Sequence, residues 1–443
     1  MNLSQYFDHT PDNIALICGS QHYRYAELKT LCSEKNLALT AAGAQQNCII
    51  AIELENSLEA VITLLTCFIY GYSALMLNPK DSKSNADILS KNKVNLHITH
   101  NSITKHSDQI RFQKSYLICF TSGTTGTPKG VCHPFENIIA NALAFNNASG
   151  INHETRLLHV FPISYMAGIL NTLISPLVAS GTVILSAPFS AEKISGFWDD
   201  LIEHNCNTTW LTPTIISFVT ATTRNTETLT AVKERLKLLL VGTAPLLQDK
   251  KAQFEAKFGI DCIESYGMSE ILLVSANFQK TERSVGQPLN GIEVKTSGNL
   301  FVSSPFAFDG YLIDDIWHPA NIEHGFFDTG DIAEIKDQQI MITGRQKDLI
   351  IKGGKNISPR FIEETIIMHP QAQDVAVIGT SHPFWGEDIV AFVETESEDT
   401  DSFSNFCKEQ IDRELLPSKI HLIKSFPRNR TGKIMKNKLM EYI

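Results

Sequence analysis

The chain has 443 residues, a formal net charge of −10 and 43% apolar side chains. That length predicts two or three domains with sizeable cores. The acidic balance excludes a nucleic-acid partner bound by charge.

Nine cysteines lie scattered between Cys18 and Cys407, and none forms a Cys-x-x-Cys pair. Neither a zinc site nor a redox dithiol is indicated. The start, Met1-Asn-Leu-Ser-Gln-Tyr6, has neither the basic region nor the apolar core of a signal peptide. A reducing cytoplasm is expected.

The first segment to interpret is Ala60 to Leu77, which carries no charge and is long enough to raise the question of a membrane span. Gly71 breaks it and Asn78-Pro79 ends it. It therefore reads as a buried helix to about Tyr70 and a strand over Ser73–Leu77, with no span. Next, the apolar run Tyr116–Phe120 reads as a buried strand. It leads into Thr121-Ser-Gly-Thr-Thr-Gly-Thr-Pro-Lys129-Gly130. Glycines let backbone N–H groups close around phosphate oxygens, hydroxyls add donors, and Lys129 adds charge. The spacing is not that of a Walker A loop.

Further strands are predicted at Leu157–Phe161, Thr182–Leu185, Thr208–Leu211, Lys237–Val241 and Asp261–Glu264. Helical patterns such as Leu246–Lys257 separate them. This alternation predicts parallel sheets covered by helices. Residues 291–343 differ. Their short runs and turns, Ser297-Gly298-Asn299 and Asp337-Gln338-Gln339, predict a small antiparallel barrel or sheet. From about residue 345 to 443 the pattern is a separate small α+β unit, with strands at Ala376–Gly379 and Val390–Glu394. The polar run Glu394–Ser402 reads as a loop.

The ten-residue loop resembles the phosphate-binding loop of the adenylate-forming superfamily of acyl-CoA and aryl-CoA synthetases, luciferases and peptide-synthetase adenylation domains. Other motifs of that family follow in order. Tyr266-Gly267-Met268-Ser269-Glu270 is similar to its Tyr-Gly-x-Thr-Glu motif. Asp328-Thr-Gly-Asp331 resembles its ribose motif, and Gly344-Arg345-Gln346-Lys347-Asp348 its interdomain hinge. Lys352-Gly353-Gly354-Lys355 resembles the glycine turn beside the thiol tunnel. Pro427–Ile434 resembles the loop that carries the catalytic lysine.

The resemblance implies an α/β protein. A large N-terminal domain, 1–344, would hold αβαβα sheets and a small β subdomain at 291–343. A small mobile C-terminal domain would cover 345–443. It also implies an ATP-dependent ligase that joins a carboxylate to AMP, expels pyrophosphate and passes the acyl group to a thiol. The thiol would be that of CoA or of the phosphopantetheine on a carrier protein. No carrier domain follows Lys433, so a carrier would act in trans.

By the same resemblance Thr121, Ser122, Gly123, Thr124, Thr125, Gly126 and Lys129 would cradle phosphate. Lys433, Thr125 and Glu270 would be catalytic, with Glu270 the magnesium ligand. Gly242, Thr243, Ala244, Pro245 and Tyr266 would line the adenine pocket beside Gly267, Met268 and Ser269. Asp331 and Arg345 would hold the ribose. Lys347 would be the hinge, Gly354 would meet the thiol, and Tyr165, Met166, Gly168 and Ile271 would shape the acyl pocket. Lys436 and Lys438 read as solvated.

Two departures matter. The family's Thr-His pair is replaced by Pro134-Phe135, and the neighbouring His133 reads as a surface residue at a helix start. Many CoA ligases also have histidine where Tyr165 stands. Ser164, Tyr165 and Met166 offer no carboxylate for an α-ammonium, and Ile271–Leu273 are apolar. An unpartnered buried ammonium is costly, so an acyl or aryl acid is favoured over an amino acid. Oligomeric state is left between monomer and homodimer.

Overall fold

The structure, a computed structural model, describes residues 3–122, 128–190, 196–429 and 432–443. Gly123, Thr124, Thr125, Gly126 and Thr431 lie outside the described residues, as does the side chain of Ser122.

Two large sheets form the body. In the nine-stranded sheet, Ile14–Cys18, Thr182–Leu185, Arg156–His159, Thr208–Leu211, Leu238–Val241 and Cys262–Met268 run parallel as neighbours. Antiparallel strands close both edges. In the eight-stranded sheet, Leu96–Thr99, Ile49–Ile52, Ser73–Met76 and Tyr116–Ser122 are parallel, and Pro128–Pro134 turns back along the last. Ile49–Ile52 and Ser73–Met76 are buried at every position. Parallel strands covered on both faces need such continuous apolar runs rather than alternation.

The uncharged stretch at Ala60 divides as its sequence predicts. The helix Leu58–Tyr70 begins where the Ser57 hydroxyl accepts from the Ala60 N–H, and it ends at Gly71 with φ +75°. The strand Ser73–Met76 follows. Among the described residues no helix is long and apolar enough to cross a membrane.

The third sheet has four antiparallel strands, Glu293–Ser297, Asn299–Ser303, Phe327–Lys336 and Gln339–Arg345. Asp337 and Gln338, both at positive φ, make the last turn. It is an open sheet, and the middle of the 291–343 stretch leaves it. The hairpin Gly310–Ile313/Ile316–Pro319 pairs with Pro128–Pro134 and so extends the eight-stranded sheet. Leu312, fully buried against Ile118 and Cys132, explains that choice. The hairpin has an apolar face to bury there, and it covers an otherwise open strand edge. This excursion places Tyr311 beside the phosphate-loop strands.

The C-terminal part has its own five-stranded sheet within Ile350–Ile423. The helices Pro359–Ile366 and Thr400–Gln410 pack on it around Ile362, Ile366, Val377, Ala391 and Phe403. That core is separate from the main one, and Leu247 of the body packs against its edge.

Candidate active site

Open parallel sheets gather ligands at the carboxyl ends of their strands. Gly242 and Thr243 follow the strand Leu238–Val241 at that edge, beside Ser265. A side chain at Gly242 would lie 2.7 Å from the Ser265 Oγ, so the backbone approaches closely here. Thr243 holds φ +71°, a strained conformation for a β-branched residue and a mark of functional turns.

Asp331 has two fixed partners. The Tyr266 hydroxyl donates to its Oδ2 at 2.6 Å, and the Arg345 Nε donates to its Oδ1 at 2.8 Å. Asp331 and Arg345 face each other across paired strands. Burial and then the Asp331 charge push the Tyr266 phenol well above its ordinary pKa, so it stays a donor. A carboxylate has about four acceptor positions. Two are used, which leaves room for both hydroxyls of a ribose. Thr329 accepts from the Asp331 N–H at 3.1 Å, and Gly330 bends the chain at φ +67°. A cleft lined by Thr329, Gly330, Arg345, Gln346 and Lys347 opens beside them.

Glu270 sits in the tight turn between the strands Cys262–Met268 and Leu272–Ala276. A side chain at Gly267 would strike the Leu272 carbonyl at 2.2 Å, so this turn needs glycine. The Tyr311 hydroxyl donates to Glu270 Oε1 at 3.0 Å, and the Phe308 N–H donates to the Glu270 carbonyl at 2.8 Å. Burial raises the Glu270 carboxyl, while the Tyr311 hydrogen bond and the charges of Arg345 and Lys129 oppose it. The Lys129 ammonium lies 5.6 Å from the Tyr311 ring centre. Among the described residues no three His, Cys, Asp or Glu side chains gather to hold an ion. One half-buried carboxylate suits magnesium, which keeps several waters and takes phosphate oxygens.

His133 departs from expectation. It is fully buried in the strand Pro128–Pro134, where its Nε2 donates to the Ser269 carbonyl at 2.5 Å. Burial lowers its pKa to about 4. It is a strut under the Ser269–Glu270 turn, not a surface residue. A histidine one residue before a proline gives no sequence signal of such a contact.

On the acyl side, Tyr165 is half-buried, and burial, helped by the Glu270 carboxylate, raises its phenol pKa. Met166 and Ile271 are buried. A side chain at Gly168 would meet the Pro162 carbonyl at 2.1 Å, so this glycine allows helix and turn to close up. Trp210 was not singled out by its sequence context. It is fully buried, and its indole N–H, which has no hydrogen-bond partner among the described residues, lies 3.4 Å from where a side chain at Gly242 would begin.

The lysine loop reaches this edge from the C-terminal unit. The Thr214 hydroxyl donates to the Gly432 carbonyl at 2.6 Å. The Lys433 N–H is held by Asn429 Oδ1 at 2.9 Å, and Arg428 ties the loop to Asp374 and Glu394 at 2.8 Å each. Burial and then Arg345 and Lys347 lower the Lys433 pKa, while Asp348 and Asp331 oppose them. The residue still faces solvent on one side, so water screens part of these effects. The lysine loop is therefore docked on the body through Gly432 and Thr214, and Lys433 feels the charges of Arg345 and Asp331. Lys436 corrects its expectation of being solvated, for it bonds Glu363 at 2.6 Å and the Val377 carbonyl at 3.1 Å; Lys438 is exposed.

Gly353 and Gly354 turn the hairpin Ile350–Lys352/Lys355–Ile357 at positive φ, and no described atom stands within 4 Å of where a Gly354 side chain would be. Lys347 lies in the single 3₁₀ turn Gln346–Asp348 that joins body and C-terminal unit.

The pattern that describes the AMP-binding enzyme family matches residues 3–115 and 102–312, and that of the AMP-binding enzyme C-terminal domain matches residues 362–433. Sulfoacetate–CoA ligase of Cupriavidus necator is 31% identical over 74% of this chain and 67% of its own length. 2-Succinylbenzoate–CoA ligase of Bacillus licheniformis is 28% identical over 99% of this chain and 98% of its own. The crystal structure of ATP-bound MatB from Rhodopseudomonas palustris superposes with a TM-score of 0.86 at 25% identity, covering 100% of this chain and 99% of that one.

Proposed function

The chain belongs to the family of AMP-binding enzymes and is an AMP-forming acid–CoA ligase, and from that premise we propose which acid it activates and which residues act. The acid is an aryl or acyl carboxylic acid without an α-ammonium group, and 2-succinylbenzoate is the first candidate. The neutral lining at Ser164, Tyr165, Met166 and Ile271–Leu273 supports the class. The full-length relative named for that acid supports the candidate.

The observation that carries the site assignment is the cluster of Asp331, Tyr266 and Arg345, together with the lysine loop docked on the body through the Thr214–Gly432 hydrogen bond. Asp331 takes both ribose hydroxyls on its remaining acceptor positions. The acid's oxygen attacks the α-phosphorus of ATP, the bond to the β-phosphate oxygen breaks, and pyrophosphate leaves. Lys433 would bridge the acid and the α-phosphate with its ammonium as charge builds. Glu270 would hold the magnesium that neutralises phosphate charge, and Lys129 with Thr121 and the following loop would cradle the phosphates. In the second step the CoA sulfur attacks the acyl carbon, the thiol proton is lost and AMP departs.

Residues 1–344 and 345–443 act as two domains, with Lys347 the pivot. The orientation described here, with Gly432 docked on Thr214, is the adenylating one. Rotation about Lys347 would withdraw Lys433 and bring Gly354 to the thiol.

Pyrophosphate exchange over a panel of acids tests the substrate. The panel holds 2-succinylbenzoate, malonate, sulfoacetate, benzoate, medium-chain acids and α-amino acids, each followed by CoA and by a carrier protein as acceptor. An unpaired buried ammonium costs several kcal/mol, and about 4 kcal/mol is near a thousandfold. The non-amino acid should win by about that factor. An amino acid activated as well as its des-amino analogue would sink the proposal.

A further inference from the structure

The turn at Glu270 is gripped from the second sheet at three points, and two of them fix its backbone. The His133 Nε2 donates to the Ser269 carbonyl at 2.5 Å, and the Phe308 N–H donates to the Glu270 carbonyl at 2.8 Å. The third grip is on the side chain, where the Tyr311 hydroxyl donates to Glu270 Oε1 at 3.0 Å. No other described side chain bonds that carboxylate. With the backbone pinned, the Tyr311 hydroxyl holds the Oε1 oxygen of the carboxylate.

Tyr311 reaches this position because its hairpin leaves the small antiparallel sheet and pairs with Pro128–Pro134, the strand that carries Lys129. The Tyr311–Val131 register sets the ring below the Lys129 ammonium, 5.6 Å from its centre. Phe308 buttresses the ring edge-on at 4.7 Å. One side chain thus meets both the Glu270 carboxylate and the Lys129 ammonium.

We propose that Tyr311 is a positioning residue for the metal site, aligning Glu270 with the Lys129 side of the phosphate cradle so that one carboxylate oxygen is presented to a divalent cation on the nucleotide. This rests on the reading of Glu270 as the metal carboxylate. Partners that orient a ligating carboxylate typically change metal affinity by about 10- to 100-fold when removed. Tyr311→Phe keeps the ring, and with it the Lys129 and Phe308 contacts, and deletes only the donor.

The test is isothermal titration of Mn2+ into protein saturated with α,β-methylene-ATP, a readout that needs no turnover. Tyr311→Phe is expected to weaken Mn2+ binding about tenfold, with metal-free binding of the analogue unchanged. Glu270→Gln is run in parallel, and the double variant should bind Mn2+ no worse than Glu270→Gln alone, since the tyrosine acts only through that carboxylate. If Glu270→Gln weakens the metal and Tyr311→Phe does not, the positioning role falls and the metal carboxylate stands. Additive losses in the double variant would also overturn it, by showing a general structural effect. If Glu270→Gln leaves Mn2+ binding unchanged, the metal reading itself falls and takes this proposal with it.

Discussion

Gly432→Ala isolates the docking of the lysine loop. Gly432 holds φ +82°, and an added Cβ would stand 2.7 Å from the Thr214 Cβ, 2.8 Å from its Cγ2 and 2.9 Å from its Oγ1. Three atoms of one short side chain cannot all retreat, because Thr214 lies in the first turn of the helix Pro213–Thr222 and its hydroxyl is bonded to the Gly432 carbonyl. Overpacking of this kind costs about 1–3 kcal/mol. The left-handed conformation adds about 1–2 kcal/mol for alanine, but that burden falls on both orientations of the small domain. The clash falls only on the docked one. At about 1–3 kcal/mol of selective destabilisation, pyrophosphate exchange should slow roughly 5- to 150-fold, since each 1.36 kcal/mol is tenfold. Thioester formation from a pre-made acyl-adenylate should stay within a few-fold of the parent protein. Equal slowing of the two half-reactions in a folded variant would refute the view that this contact belongs to adenylation alone.

Lys433→Ala should nearly abolish pyrophosphate exchange and spare CoA transfer from added adenylate, and single-turnover assays of both steps check the split. Lys347→Pro fits the helical φ of the 3₁₀ turn Gln346–Asp348. It should therefore hold the docked orientation, leaving adenylation and slowing thioester formation, whereas parental rates in both would move the pivot elsewhere. Acid stability should report His133 and His159, which are fully buried. Burial lowers the pKa of His133 and of His159 to about 4. Between the unfolded value near 6.5 and the folded one, the unfolded chain binds the proton and the native one does not, so stability falls as pH falls. Each costs about 2 kcal/mol at pH 5. Urea unfolding should show His159→Met losing less stability than the parent between pH 7 and 5; an identical loss would contradict the assignment.

The order of strands and helices was legible because parallel strands covered on both faces require runs such as Ile49–Ile52 and Thr182–Leu185, and because Ser57 and Gly71 mark the ends of the helix between them. The site residues that were readable sit in glycine turns, where backbone geometry restricts the residue type: Gly267 before Glu270, Gly330 before Asp331, Gly432 before Lys433. What the chain's linear order could not supply was contact between segments far apart in it. Tyr311 lies in an ordinary alternating strand, and its bond to Glu270 exists only because its hairpin changes sheets. Buried His133 looked like a surface residue because its partner, the Ser269 carbonyl, is backbone and carries no side-chain signature. Lys436 looked solvated because Glu363 is remote in the chain and meets it only after the small sheet has folded. Local conformational limits write themselves into sequence, whereas long-range pairing depends on which apolar faces find each other, and Leu312 decided that for the hairpin that carries Tyr311.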